Sequence, residues 1–169
     1  GHCIGVDPYY LVHKSIATGF IPDIIRTARE INDGMARNAV GRLVNAMVAR
    51  NLRVKGARIL VAGFTFKEDC PDTRNTKVVE LVSHLHTWGM EPEIVDPWAD
   101  HGEVLGEYGL SIEASLPQAT QAYDAVILAV PHTDIVAQGA ERLRGLLRPG
   151  GVLFDMKAAF DIKESDLRL

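Results

Sequence analysis

Cys3 stands in the segment Gly-His-Cys-Ile-Gly-Val-Asp-Pro-Tyr-Tyr, with a carboxylate, Asp7, four residues on. A thiol in such a Gly-rich segment can approach a substrate closely, and beside a cation it acts as a thiolate nucleophile. Asp7 is placed to orient or deprotonate a water. A free cysteine is also a small hydrophobe that packs without reacting, so residue type alone leaves Cys3 open. His2, His13 and Cys3 match no common zinc spacing, and no metal site is expected. Cys70, next to Pro71, reads as a packing residue. Tyr9 and Tyr10 either wall a sugar or bury a loop.

A second concentration of chemistry follows an apolar run that ends at Gly63: Phe-Thr-Phe-Lys-Glu-Asp-Cys-Pro-Asp-Thr-Arg-Asn, residues 64–75. A dinucleotide-binding turn would place G-x-G-x-x-G here, and this one carries Lys67 and Arg74 instead. A long charged turn at the ligand end of a sheet suits a phosphate clamp built from side chains and a helix N-terminus. The same charges equally describe a solvated, salt-bridged loop. Lys157, just past Asp155, points to the same end of the sheet as Lys67, so two lysines and Arg74 together are able to neutralise a diphosphate. His132 lies at that edge too, where a structural turn accounts for it as readily. Asp96 precedes Pro97 and, without the glycine fingerprint, reads mainly as a turn residue.

These residues need elements to hold them. Residues 1–20, rich in Gly, Pro, Tyr and His, suit a loop or a short helix over a site. From Pro22 to about Arg50, apolar residues recur at helical spacing: Ile24, Ala28, Ile31 and Met35, then Val40, Leu43, Val44, Met47 and Val48. An unbroken helix there would run roughly 45 Å, too long to cover one small sheet, so it links domains or packs on a twin. The alternative is a break near Asn32-Asp33-Gly34. Beyond residue 56 strands and helices alternate. Strands are predicted over 57–63, 93–95, 124–130 and 152–155, and helices over 75–88 and 141–147, with Val78, Val79, Leu81, Val82 and Leu85 facing inward. That alternation predicts an α/β fold: a Rossmann-like, doubly wound parallel sheet at 55–169, preceded at 1–54 by the cysteine segment and a long dimerisation or linker helix.

Composition narrows the functions. Apolar residues at 47% and charged residues at 24% describe an ordinary globular chain. A net charge of −4 argues against a nucleic-acid partner, whose phosphates favour a basic surface. No apolar run reaches the ~18–20 residues a membrane span needs. Two cysteines make no disulfide framework, and the expectation is a reduced, cytoplasmic protein. The opening Gly-His-Cys, without an initiator methionine, suggests a chain cut from a longer one.

Taken together these segments resemble the UDP-glucose/GDP-mannose dehydrogenase family over essentially the whole chain. Residues 1–11 are similar to its catalytic-cysteine segment, Arg29-Glu30-Ile31-Asn32-Asp33 to its central dimerisation helix, and residues 64–75 to its C-terminal nucleotide-sugar signature. Asp96-Pro97 and Asp155-Met156-Lys157 follow in order. The resemblance implies oxidation of the C6 hydroxyl of a nucleotide sugar to a carboxylate with two NAD, the cofactor held mainly by an N-terminal domain outside this chain. Cys3 would attack the aldehyde to give a thiohemiacetal, then a thioester, and Asp7 would help activate the water that hydrolyses it. Ile4, Tyr9, Tyr10, Phe66, Lys67 and Lys157 would contact the UDP-sugar, Arg74 would reach the NAD pyrophosphate, and the central helix would form a homodimer. Ile-Gly-Val-Asp-Pro-Tyr-Tyr is similar to the branch acting on UDP-N-acetylhexosamines, with UDP-ManNAc, UDP-glucose and GDP-mannose as alternative substrates. Val6 stands where the commoner segment has a lysine, Glu30 where many of that branch carry a second arginine, and Ala158 where a glycine is usual.

Overall fold

In the computed structural model, which describes residues 2–169, the chain opens with a pair of helices and continues into one parallel sheet; Gly1, the first residue of the cysteine segment, lies outside the described residues. The first helix, α1, spans Cys3–Ala17, so the expected loop or short helix is in fact four turns long. Pro8 sits inside it and withholds the N–H that would bond the carbonyl of Ile4. None of its residues is buried.

The second helix, α2, runs Asp23–Ala49 without a break, some 40 Å at ~1.5 Å per residue. Asn32-Asp33-Gly34 does not interrupt it. Its C-terminal half buries Ala36, Ala39, Val40, Leu43, Val44 and Met47 at helical spacing against the sheet, in one core with Ile59, Val61, Leu81, Leu85 and Phe154. The apolar residues of its N-terminal half, Ile24, Ile31 and Met35, stay exposed.

The sheet comprises β1 (Arg58–Ala62), β2 (Glu91–Val95), β3 (Ile112–Glu113), β4 (Tyr123–Leu128), β5 (Leu147–Asp155) and β6 (Leu167–Arg168). All pairings are parallel, in the order β3-β2-β1-β4-β5-β6. Strands buried on both faces need apolar side chains throughout, which is why β4 is buried along its whole length. One face is covered by α2, α3 (Val78–Thr87) and α4 (His101–Tyr108); the other by α5 (Thr133–Val136) and α6 (Gly139–Leu146) around Leu60, Val126, Leu143 and Leu153. Helix α3 starts at Val78 rather than at Asn75, whose φ of 56° places it in the left-handed region and keeps it out of the helix. Its inner face is as expected except for Val79, which is half-buried. α4, α5, β3 and β6 were not foreseen: they are short, and none carries a long periodic apolar pattern.

The order reverses between β1 and β4, and the crevice at that switch point opens at the C-terminal strand ends. Gly63 makes the turn there possible. Its φ is +89°, and a Cβ would lie 2.4 Å from the carbonyl oxygen of Val130. No helix among the described residues is long and apolar enough to cross a membrane.

Candidate active and nucleotide-sugar site

Because every strand is parallel, the turns after β1, β2, β4 and β5 all gather at one edge. They bring Lys67, Asp96, His132 and Lys157 to it. The 64–77 turn has no regular structure of its own, so something must hold it, and that is Asp96. Fully buried, its carboxylate accepts from the backbone N–H of Phe64 (2.6 Å), Thr65 (2.9 Å), Trp98 (2.8 Å) and Ala99 (2.9 Å), and from His132 Nε2 (2.9 Å). Burial alone would raise its pKa; the bonds from His132 and from the Phe64, Thr65 and Trp98 amides outweigh that and bring it down to about 2.

His132 is buried as well. Its Nδ1 accepts the N–H of Asp69 (3.0 Å), so the ring proton belongs on Nε2, directed at Asp96 and close to Thr65 Oγ1 (3.1 Å). The Asp69 carboxylate in turn accepts from Thr133, and Thr65 donates to the carbonyl of Lys67 (3.0 Å). Asp96 is thus the hub of the site edge rather than only a turn residue before Pro97. The sequence signal was an acid closing an apolar strand, which must be paired if it points inward. The amides after Gly63, which would cradle a dinucleotide pyrophosphate in a glycine-fingerprint turn, are spent on this carboxylate.

With the turn pinned, Lys67 and Lys157 are both exposed, and among the described residues neither ammonium has a carboxylate partner. Arg74 behaves differently. Its guanidinium grips Asp72 through Nε (2.9 Å) and Nη2 (2.7 Å), and it lines a separate hollow with Glu103 and Glu107. Asp72 thus already neutralises Arg74, and the hollow that Arg74 lines includes neither Lys67 nor Lys157. Arg74 also holds Asp72 far below the usual carboxylate range, against the opposing effect of burial and with help from His2.

Asp72 links this turn to the cysteine segment. His2 Nε2 lies 2.7 Å from Asp72 Oδ2, and the His2 ring packs on Phe66 with centroids 4.2 Å apart. Cys3 is the next residue. It opens α1, where the positive end of the helix macrodipole favours negative charge developing beside it. The helix also places Asp7 one turn along the same face, and Cys3, Ile4, Asp7, Pro8, Leu11 and Ile25 line one shallow apolar hollow. A second hollow, of about 320 Å³, adjoins it, walled by His2, Ile4, Arg29, Asn32, Phe66 and Lys77 among others. Tyr9 turns away from both, its hydroxyl donating to Asp33 and its ring under Arg29 (5.3 Å). Tyr10 is 71% exposed and lines neither hollow. Sequence reasoning missed the roles of His2, Asp72, Arg29 and Asp33, whose bonds span 24 to 70 residues of chain.

The described chemistry is that of an exposed thiol with a carboxylate beside it, next to a pinned turn offering unpaired ammonium groups. Comparison with known proteins gives this arrangement a context. The signature of the UDP-glucose/GDP-mannose dehydrogenase family, UDP binding domain, matches residues 60–162. The chain is 46% identical, over its whole length, to a UDP-N-acetyl-D-glucosamine 6-dehydrogenase of Pseudomonas aeruginosa and 43% identical to one of Salmonella typhi. It spans 40% and 39% of those proteins. Among solved structures, a UDP-D-ManNAc dehydrogenase from Pyrococcus horikoshii superposes with a TM-score of 0.79 at 25% identity, covering 96% of this chain and 35% of that one. A Methanosarcina mazei NDP-N-acetyl-D-galactosaminuronic acid dehydrogenase shares the fold, with a TM-score of 0.80 at 22% identity over 97% of this chain and 35% of its own. The pinned turn at 64–77 and the sheet that carries it are those of a nucleotide-binding domain, and the chain belongs to the UDP-glucose/GDP-mannose dehydrogenase family.

Proposed function

We propose that this chain is the substrate-binding part of an NAD-dependent nucleotide-sugar 6-dehydrogenase that oxidises the C6 hydroxyl of a UDP-N-acetylhexosamine to a carboxylate. The observation that carries the reading is the short link from nucleophile to turn: Cys3 follows His2, which is bonded to Asp72 and packed on Phe66. A UDP-sugar whose phosphates meet Lys67 and Lys157 extends its hexose along Phe66 and Ile4 toward the sulfur. The 46% identity to a UDP-N-acetyl-D-glucosamine 6-dehydrogenase supports the N-acetylhexosamine in particular.

In this reading Cys3 Sγ adds to the C6 aldehyde left by the first oxidation, giving a thiohemiacetal. Loss of a hydride from that carbon, with release of the hydroxyl proton to water, gives a thioester. Asp7, one turn along the same face, takes the proton of the water that hydrolyses it. NAD, held mainly by a domain outside these residues, would supply the acceptor for both hydrides. Arg74 reaches the pyrophosphate by exchanging Asp72 for it. The protein works in the cytoplasm as a homodimer, joined through the exposed face of α2, with residues 1–54 and 55–169 as its two units. Phe66 and Ile4 wall the sugar in this reading, since Tyr9 and Tyr10 line neither hollow.

Calorimetric titration with UDP, UDP-GlcNAc and NAD tests the reading. UDP and UDP-GlcNAc should bind and NAD should not. Lys67→Ala should weaken UDP by about 1.5–3 kcal/mol, the range for a charge-assisted hydrogen bond. Undiminished affinity in Lys67→Ala would remove this lysine from the site, and absence of any UDP binding would remove the turn.

A further inference from the structure

Helix α1 carries Cys3 yet buries nothing, so packing alone does not hold it. Its weak point is also identifiable. Pro8 offers no N–H to the carbonyl four residues earlier, and its ring crowds that carbonyl. That orphaned carbonyl, Ile4 O, accepts instead from Arg29 Nη1 of α2, at 3.3 Å. The same guanidinium lies over the Tyr9 ring and bonds Asp33 Oδ1 through Nη2, at 3.3 Å. Asp33 also accepts from the Tyr9 hydroxyl and, at 3.2 Å, from Lys77 just before α3. Three elements meet in this cluster, and Arg29 at its centre is only 8% exposed.

We infer that Arg29 and Asp33 are positioning residues, a bracket that repairs α1 at Pro8 and fixes the helix bearing Cys3 against the nucleotide-binding domain. The inference rests on the proposed role of Cys3. It gives the Arg29-Glu30-Ile31-Asn32-Asp33 segment an intramolecular duty: Arg29 and Asp33, one turn apart, face α1, while Ile31 remains 62% exposed. Arg29 stands seven residues before Ala36 and fourteen before Leu43, so it continues the buried stripe of α2 beyond the edge of the sheet. The low pKa of Asp33, set first by the Tyr9 hydroxyl and next by Lys77 against the effect of burial, keeps the bracket ionised at neutral pH.

Hydrogen exchange on the whole chain, resolved by peptide, tests the bracket directly. In Arg29→Met and in Asp33→Asn, amides between Tyr9 and Ala17 should exchange about tenfold faster, while those of α3 and α6 keep their rates. Arg29→Lys should recover part of the loss. Pro8→Ala restores the intrahelical bond to Ile4 O, so in that background Arg29→Met should accelerate exchange far less. Unchanged exchange of α1 in Arg29→Met, or an equal effect with and without Pro8, would overturn the bracket. The second arm compares binding of UDP with that of a UDP-GlcNAc 6-aldehyde. The wild-type preference for the aldehyde, which reads thiohemiacetal formation at Cys3, should fall at least about tenfold in Arg29→Met with UDP affinity kept within about twofold. A preference that survives the substitution counts against positioning. A wild-type chain with no preference would end the proposed role of Cys3, and exchange alone would then decide whether the bracket exists.

Discussion

At the scale of single residues, Asp96 bears the heaviest duty in the site. Four of its five donors are backbone N–H groups, so replacing the carboxylate leaves buried N–H groups unpaired. Asp96→Asn turns an amide NH₂ toward some of those donors and should cost about 3 kcal/mol in urea denaturation at pH 7. A pKa lowered from 3.8 to about 2 also fixes the pH dependence. The stabilisation from Asp96 is full above its unfolded value and is lost as pH falls through about 2, which makes roughly 2 kcal/mol of it titratable. The gap between wild type and Asp96→Asn should therefore hold from pH 7 to about 4.5 and narrow below that. A gap independent of pH would show that the fold does not lower the pKa of this carboxylate. Ala158, next to Lys157, illustrates the opposite economy. It adopts φ 53° without being glycine, accepting about 1 kcal/mol of left-handed strain where Asp155 bonds the amides of Lys157 and Phe160.

Elements set where those residues can act. The strand β1 must end abruptly for the 64–77 turn to pass over Val130, and only glycine fits both the conformation and the gap at residue 63. Gly63→Ala forces a Cβ to within 2.4 Å of the Val130 carbonyl at φ +89°. We expect a loss of about 3 kcal/mol or more, or failure to fold, read as the shift of the urea midpoint at unchanged slope. A stability within 0.5 kcal/mol of wild type, about the effect of a neutral surface change, would mean that the turn relaxes freely. The long helix α2 works differently along its length. Its C-terminal half belongs to the sheet core through Leu43 and Met47, both fully buried, and its N-terminal half carries α1.

At the scale of the whole molecule, the apolar surface left uncovered is concentrated on that helical pair. Ile24 is 87% exposed and Ile31 62%, with Tyr10, Phe20 and Ile21 also open to solvent. Apolar residues left open on one helical pair suit the proposed interface. The proposed homodimer buries it, and Met35→Glu places a charge inside. Sedimentation should then show a dimer in the wild type and a monomer in the variant, with α-helical content retained. A variant that remains dimeric would move the interface off this face of α2.

The chain's alternating apolar runs, its glycine stops and its helical periodicity from Pro22 to about Arg50 were enough to determine a parallel α/β sheet behind a long helix, because those signals are local and repeat many times. The candidate residues were legible for the same reason: Cys3, Asp7, Phe66, Lys67 and Lys157 lie in short segments whose composition is unusual by itself, and their roles stay with the proposed function. What tertiary structure alone decided is which of them meet. It made residues 3–17 a helix, since Arg29 from α2 satisfies the carbonyl that Pro8 leaves bare. It turned Arg74 onto Asp72, and Asp72 onto His2 across 70 residues. It buried Asp96 and His132 together as the anchor of the turn. Such contacts depend on the packing of distant elements and on the cost of leaving a buried polar group unpaired, and neither has a local trace in the order of residues.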